Sequence, residues 1–207
     1  MISVVTLVTK LKEYRDNVIR TMSSEDVIPI HNAPSAAVGL NTGIRKAKHE
    51  IVVCCHQDVV FPPLWAAMLY DQIELISDPS FGVLGTFGAA EDSRLVGHVS
   101  DPHNNPKMGD LPCRAMSLDE HCLVIRKSSG LLFDENLSGF HMYGADICLS
   151  AQSKKMCNYV IDAPVVHLSG GKVDPMFKIC VMEFKRKWQN RSPIPVIRTT
   201  CGQFFLN

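Results

Sequence analysis

The sequence lacks an excess of either charge. Its 207 residues contain 21 Lys and Arg and 21 Asp and Glu, so the formal net charge is +0. Surfaces that bind nucleic acid, and polybasic membrane patches, usually show as a positive excess, so neither is expected here. No apolar run approaches the roughly 18–20 residues that cross a bilayer, and no transmembrane segment is expected.

The cysteine spacing excludes two further classes of protein. There are eight cysteines but no Cys-x-x-Cys pair, which argues against a structural zinc site and a disulfide scaffold. Cys54 and Cys55 are neighbours in an apolar run, so on a strand their side chains would point to opposite faces. We expect most cysteines to be buried thiols of a cytoplasmic protein. Residues 1–9 lack a basic n-region and are predicted to form a first core strand instead of a signal peptide.

Predicted strands and helices alternate through the first ninety residues. This alternation is typical of an α/β fold with a mostly parallel, doubly wound sheet flanked by helices, and the length allows a real core. Ser35 is a candidate cap for the second helix, and Pro62 and Pro63 suit the first turn of the third. The predicted strands are 2–8, 27–30, 51–55 and 82–87, and the predicted helices are 11–22, 35–47 and 62–76.

The second half of the chain is less regular. Residues 91–116 are polar and broken by Gly and Pro, which predicts a long loop of functional importance or disorder. Strands are predicted at 121–126 and 159–167, and a short helix at 145–155. Asp174 and Pro175 are a good start for a last helix, whose apolar stripe ends at Trp188.

Three positions stand out as candidates for chemistry. Asp58 follows the apolar strand 51–55, where the ligand crevice of an open α/β sheet lies; it suits a metal ligand and a helix cap equally well. Asp146 opens a predicted helix, where a carboxylate suits a base, although spacing alone favours a plain cap. His167 ends a strand before Gly170 and Gly171 and is a candidate metal ligand, although most lone histidines are not ligands.

The order of short motifs along residues 2–188 resembles one known family. The motifs are Asn41-x-Gly-Ile-x-x-Ala-Lys, Ile51-Val-Val-x-x-His-Gln-Asp58-Val, Phe133-Asp-Glu, Gly139-Phe-His-x-Tyr-x-x-Asp146 and Val160-Ile-Asp-Ala-Pro-Val-Val-His167. Together they resemble the family-two glycosyltransferases with the GT-A fold, and most closely a bacterial branch with His-Gln-Asp in place of Asp-x-Asp.

That resemblance implies a fold and an activity. It implies a single GT-A-type domain over 1–207, with a nucleotide-binding half at 1–90 and an acceptor half at 91–207. The implied enzyme is a hexosyltransferase that moves a sugar, with inversion, from a UDP- or GDP-sugar to a hydroxyl of an unknown glycan or small-molecule acceptor.

The resemblance also implies residue roles. Asp58 and His167 would hold Mn²⁺ or Mg²⁺ against the donor diphosphate, and Asp146 would be the catalytic base. Residues 91–116 would form an acceptor-side lid. The donor would be held by Thr9, Asn32, Asn41, His56 and Gln57.

Departures from the family pattern keep other functions open. His56 replaces the first Asp of the metal motif, and no Arg precedes Asn41, which favours a non-catalytic nucleotide- or glycan-binding domain of the same fold. A nucleotidyltransferase would carry a Gly-rich basic loop after the first strand, where Val8-Thr-Lys-Leu11 stands instead. A zinc hydrolase using His56 and His167 lacks further ligands at the expected spacing.

Overall fold

A twelve-stranded mixed sheet forms the centre of the structure, a computed structural model that describes residues 1–102, 107–169 and 175–207. Two further strands form a separate hairpin. The strands are β1 Ser3–Val8, β2 Asp26–His31, β3 Ile51–Cys55, β4 Val59–Val60, β5 Leu84–Gly85, β6 Phe87–Ala90, β7 Leu95–Ser100, β8 Lys107–Met108, β9 Cys113–Leu118, β10 Cys122–Arg126, β11 Asn158–Val160, β12 Val165–His167, β13 Val196–Thr199 and β14 Gly202–Phe205.

Helices cover both faces of this sheet. The first helical segment contains a π-helical stretch, Arg15–Ile19, between two short α-helices. A 3₁₀ turn, Lys127–Ser129, follows β10. The α-helices are α1 Leu11–Tyr14, α2 Arg20–Met22, α3 Ala36–Lys46, α4 Trp65–Ile76, α5 Tyr143–Ser153 and α6 Pro175–Trp188. Among the described residues, no helix combines the length and apolar character needed to cross a bilayer.

The strand order confirms the predicted α/β class. The sheet runs β2-β1-β3-β10-β5-β11-β9-β6-β7-β12-β4, with β8 paired to β7. Strands β2, β1 and β3 are parallel to one another. β10 is inserted antiparallel between β3 and β5, and β5 is parallel to β11. The predicted parallel arrangement therefore describes the first half of the chain best, and the antiparallel pairs come mostly from the second half.

The central strands are apolar along nearly their whole length because both faces of the sheet are buried. Val5 and Cys54 belong to the cluster that packs beneath α3 and α5. Val4 and Cys55 belong to the cluster beneath α2 and α4 on the other face. The neighbouring cysteines thus point to opposite faces, as strand geometry predicts. All eight cysteines are free thiols.

A third apolar cluster holds the C-terminal elements against the sheet. It joins Leu149 of α5, Phe184 and Trp188 of α6, Ile197 of β13 and Leu206 after β14. The C-terminal hairpin was not predicted from the sequence. It is short, and several of its partners in this cluster, such as Leu149, lie far away along the chain.

The structure corrects several predicted elements. The proposed loop and lid at 91–116 instead contains β7, β8 and the start of β9, so most of its described residues belong to the sheet. The strands predicted at 82–87 and 159–167 are each split in two, and α4 begins at Trp65, just after the two prolines. Ser35 caps α3 as predicted, its hydroxyl accepting from the Val38 amide. Asp174, Gly170 and Gly171 lie outside the described residues.

Helix α3 lies so close to β1 that only glycine fits at position 43. A Cβ built there would come within 2.1 Å of Val5 Cγ1. We expect Gly43→Ala to lower the free energy of unfolding by about 1–3 kcal/mol, because a strained core contact outweighs the gain in helix propensity. Urea titration measures the change. Thr42→Ala on the same helix is the control and should stay near wild type; equal stability of both variants would contradict the close approach.

Candidate functional site

The segment after β3 carries the first part of the site. His56, Gln57 and Asp58 follow the buried strand Ile51–Cys55 and lie between it and β4. The amide of His56 donates to the carbonyl of His121 at 3.0 Å, which ties the segment to the start of β10. The side chains therefore sit at the edge of the sheet where the parallel strands end, as predicted for a ligand crevice.

Strand pairing brings His167 to the same edge. β4 pairs with β12 in antiparallel register, with Val59 opposite His167. The Leu168 amide also donates to the backbone carbonyl of Asp58 at 3.0 Å. Because these backbone contacts join the residues next to Asp58 and His167, the two side chains are held beside each other.

Three side chains converge here in a manner suited to a metal ion. His56, Asp58 and His167 each direct one ligand atom into a group whose members lie within 4.8 Å of one another. His167 Nε2 is 3.5 Å from Asp58 Oδ1, and His56 Nδ1 is 4.0 Å from it. Asp58 Oδ1 and His167 Nε2 are both buried and make no well-formed hydrogen bond. Since buried polar atoms are costly to leave unsatisfied, a cation between them fits the arrangement.

Two of the three side chains, His56 and Asp58, favour the protonation state of a metal ligand, whereas His167 favours its protonated form, from which a metal would displace a proton. Burial, reinforced by His167, lowers the pKa of His56 to about 4, so this imidazole is neutral near pH 7. Burial would raise the pKa of Asp58, but His167 opposite it brings the pKa below the ordinary value. The same pairing raises the pKa of His167 although burial opposes it. A neutral imidazole and an ionised carboxylate are therefore present before any metal binds.

A tyrosine fixes the orientation of His56. His56 Nε2 lies 2.9 Å from the hydroxyl of Tyr143, which donates to the Glu120 carbonyl at 3.3 Å. Because a carbonyl only accepts, we assign the His56 proton to Nε2, where it is donated to the Tyr143 oxygen. The lone pair of Nδ1 then faces Asp58. An outer hydrogen bond of this kind is the usual support of a metal-binding histidine.

Two members of the group, His56 and Asp58, line a cleft of about 370 Å³. A second cavity of about 420 Å³ shares Leu7, Thr9 and Phe140 with it and adds His31 and Asn32 at the end of β2. The cleft is lined by Leu7, Thr9, Leu40, Cys54, Cys55, His56, Gln57, Asp58, Glu120, Phe140, His141 and Tyr143.

Two of the predicted donor-binding residues support a loop next to the cleft. Gln57 Oε1 accepts from the amides of Thr9 and Lys10, each at 2.9 Å. Its Nε2 donates to the Thr9 hydroxyl at 2.9 Å. The Gln57 amide is therefore used in fixing the turn after β1, and Thr9 lies at the boundary of both cavities.

Asn41 does not lie with the other predicted donor residues. It is buried in α3, and its Nδ2 donates to the Phe133 carbonyl and to Glu135. Its Oδ1 accepts from the Phe133 amide at 2.9 Å. With its amide group used in this way, Asn41 holds the chain before α5, and its placement gives no support to direct contact with a donor.

Asp146 belongs to a different cluster from Asp58 and His167. Its carboxylate is 1% exposed and does not line the cleft. One oxygen accepts from Trp188 Nε1 at 2.8 Å, and Lys187 Nζ lies 2.7 and 2.9 Å from the two oxygens. Lys187 also pairs with Asp134 at 2.8 Å. Burial raises the pKa of Asp146, and Lys187 opposes that rise. The structure therefore does not bring Asp146 together with Asp58 and His167.

Sequence reasoning missed other residues on the cleft. Glu120 and His141 line it, and Glu120 Oε1 accepts from the Gly144 amide at the start of α5. Burial raises the pKa of Glu120 to about 8. The sequence feature that could have indicated Glu120 is the charged run Asp119-Glu-His121 directly before β10. Since Cys122 lies opposite Cys55, an antiparallel β10 starts beside the end of β3.

No protein-family model matches the chain, but its sequence is similar to that of a known protein. A relative from Fuscovulum blasticum, "ATP synthase subunits region ORF 6", is 29% identical over 172 residues, covering 79% of this chain and 69% of that protein. That name states no activity.

Two solved structures resemble the chain in three dimensions. The mannosyltransferase PcManGT from Pyrobaculum calidifontis, in complex with GDP-Man and Mn²⁺, matches with a TM-score of 0.53 at 12% identity. TarS from S. aureus, in complex with UDP-GlcNAc, matches with a TM-score of 0.54 at 10% identity. The matches cover 80% and 93% of this chain, and 56% and 67% of those chains. The fold is thus that of GT-A-like glycosyltransferases, as predicted.

The Asp146–Lys187 pair generates a stability prediction. We expect Lys187→Met to lower the free energy of unfolding by about 3–5 kcal/mol at pH 7, because a buried carboxylate loses its counter-charge. The loss should shrink as the pH falls. Without Lys187 the folded-state pKa of Asp146 rises further above the unfolded value, and protonation then favours the folded chain. Urea titrations at several pH values measure this.

Lys185→Met on the same helix provides the control. Lys185 is exposed, so its replacement should change stability by no more than about 0.5 kcal/mol. If the Lys185 and Lys187 variants unfold alike, the buried pair is not the stabilising contact described.

Proposed function

We propose that the chain is a metal-dependent glycosyltransferase that transfers a sugar from a nucleotide-sugar to a hydroxyl acceptor with inversion. The observation that carries this proposal is the group formed by His56, Asp58 and His167, whose ligand atoms lie within 4.8 Å of one another at the edge of a GT-A-like sheet. The solved structures of similar fold, one with GDP-Man and Mn²⁺ and one with UDP-GlcNAc, support a nucleotide-sugar as donor.

The donor atoms of the group favour manganese over magnesium. Mg²⁺ prefers oxygen ligands and retains several waters, whereas imidazole nitrogen suits transition metals better. Two imidazoles and one carboxylate therefore match Mn²⁺ more closely. When bound, the ion supplies a Lewis acid that stabilises negative charge on a departing nucleoside diphosphate.

The two adjoining cavities supply room for the donor. Thr9 borders both cavities. Asn32 lines the cavity farther from His56, Asp58 and His167, which we call the metal group. If the donor diphosphate lies near Asp58 and His167, its nucleoside would lie in the second cavity, near the ends of β1 and β2. In this proposal, Gln57 acts by holding the turn that carries Thr9. The cytoplasmic location and the hexose as transferred group stay predictions.

Two carboxylates, Asp146 and Glu120, are candidates for the base. Asp146 would need Lys187 and Trp188 to release its carboxylate before it took a proton from an acceptor. Glu120 already lies on the cleft, and its raised pKa of about 8 makes it a competent base only at alkaline pH. The sequestered state of Asp146 also favours the second candidate function, a nucleotide- or glycan-binding domain without turnover.

Metal-dependent donor binding tests the proposal directly. We expect UDP or GDP to bind the wild-type chain more tightly with Mn²⁺ than with Mg²⁺, and Asp58→Asn to weaken the Mn²⁺-dependent binding by about tenfold or more, because a charged ligand is lost. Isothermal titration calorimetry measures both. Asp71→Asn, on the exposed side of α4, is the control and should bind like wild type. Equal binding with and without metal would contradict the site.

Turnover distinguishes the enzyme from the binding domain. Release of nucleoside diphosphate from a panel of UDP- and GDP-sugars with Mn²⁺ is expected for the enzyme, whereas binding without release supports the binding domain. If Glu120 is the base, kcat should rise with pH through about 8, and Glu120→Gln should remove that rise. If wild type and Asp146→Asn release diphosphate equally slowly, the role predicted for Asp146 is wrong.

A further inference from the structure

A third histidine, His121, is not a member of the metal group but stacks on His167. The ring centroids of His121 and His167 are 5.2 Å apart, and their planes differ by 22°. His121 is 2% exposed and the His167 side chain 14%, so both stacked rings are largely shielded from solvent. The position of His121 therefore limits the orientations that the His167 ring can adopt.

Both ring nitrogens of His121 are already in use. Its Nε2 lies 2.7 Å from the Thr86 hydroxyl, and its Nδ1 lies 2.7 Å from Asp119 Oδ1. The ring cannot turn without breaking both contacts, and neither nitrogen is available to a metal. Two hydrogen bonds therefore fix the His121 ring beside His167, and His121 is not a fourth metal ligand.

The anchor of His121 reaches the C-terminal hairpin. Asp119 accepts a hydrogen bond from the Thr200 hydroxyl at 2.7 Å on its other oxygen. Thr200 lies in the turn between β13 and β14, which packs through the third apolar cluster. Burial would raise the pKa of Asp119, but the His121 and Thr200 contacts hold it well below the ordinary value. Asp119 is therefore a carboxylate held from two sides.

We propose that His121 is a positioning residue, which orients His167 towards Asp58, and that the C-terminal hairpin takes part in the metal site through Thr200 and Asp119. This inference rests on the proposed function, because it assumes that His56, Asp58 and His167 hold the metal. The chain of contacts runs from Thr200 through Asp119 and His121 to His167, and each link is a contact between side chains.

The test compares two hydroxyl groups of the same hairpin. Thr200→Val removes the donor to Asp119 and keeps the side-chain shape. Thr199→Val, the control, removes a hydroxyl whose partners are the Gly202 carbonyl and the Cys201 amide, so it loosens the hairpin without touching Asp119. Thr200→Ser restores the donor. His121→Phe keeps an aromatic ring against His167 but loses both ring hydrogen bonds.

Mn²⁺ affinity without nucleotide, measured by calorimetry, is the readout, and the melting temperature of the metal-free chain is recorded beside it. We expect His121→Phe to weaken Mn²⁺ binding by about tenfold, as is typical of outer partners of metal ligands, and Thr200→Val to weaken it by a smaller factor. Thr199→Val and Thr200→Ser should bind like wild type. The expected loss of affinity does not follow the melting temperature, because Thr199→Val lowers stability without lowering affinity.

The outcomes separate this inference from the proposed function. If Mn²⁺ binds the wild-type and Thr200→Val chains equally well, the role of the hairpin is wrong, and equal binding by His121→Phe overturns the positioning role. A wild-type chain that does not bind Mn²⁺ overturns the metal site and this inference together. Intact Mn²⁺ binding with the expected losses, but no sugar transfer, supports this inference and overturns the enzyme.

Discussion

The pairing of β4 with β12 is the contact on which the candidate site depends. Both strands are short, yet they place Val59 opposite His167 and let the Leu168 amide bind the Asp58 carbonyl. Asp58 and His167 come from opposite halves of the chain, and this backbone pairing determines their distance. The site is therefore assembled at the sheet edge by backbone hydrogen bonds, and the side chains add the chemistry.

The polar side chains around this edge of the sheet have hydrogen-bond partners, except for one pair of atoms that face each other. His56, His121 and Asp119 each have side-chain partners, whereas Asp58 Oδ1 and His167 Nε2 do not. Three other buried side-chain atoms in the described part of the chain also lack a partner, but each is on a different element: Tyr14 Oη, Arg126 Nε and Gln152 Oε1. When His167 Nε2 is unprotonated, it and Asp58 Oδ1 both present lone pairs 3.5 Å apart, an arrangement that suits a cation between them.

The elements predicted correctly from the sequence are those that depend on residues close together along the chain. The strand Ile51–Cys55, the Ser35 cap and the helix Trp65–Ile76 follow from apolar spacing and capping, and their limits were close to those observed. Among the strands within 91–116, β7 forms a hairpin with the neighbouring β6 that was not predicted from the sequence, whereas its other partner β12, and β11, the partner of β9, lie far along the chain. The sequence also placed Asp58 at a strand end, but it did not reveal that His121 would stack on His167.

Asp146 shows why a motif alone does not determine a role. A carboxylate at the start of a helix suits a base, a cap or an ion pair, and the partners that decide, Lys187 and Trp188, lie on α6. The ion pair joins α5 to α6, and α5 begins with Tyr143, whose hydroxyl contacts His56. Asp146 therefore acts on the cleft through the placement of α5, because a shift of that helix would move Tyr143 away from the metal group. By holding the helix that carries Tyr143, the buried Asp146 pair supports the contact between the Tyr143 hydroxyl and His56 without itself lining the cleft.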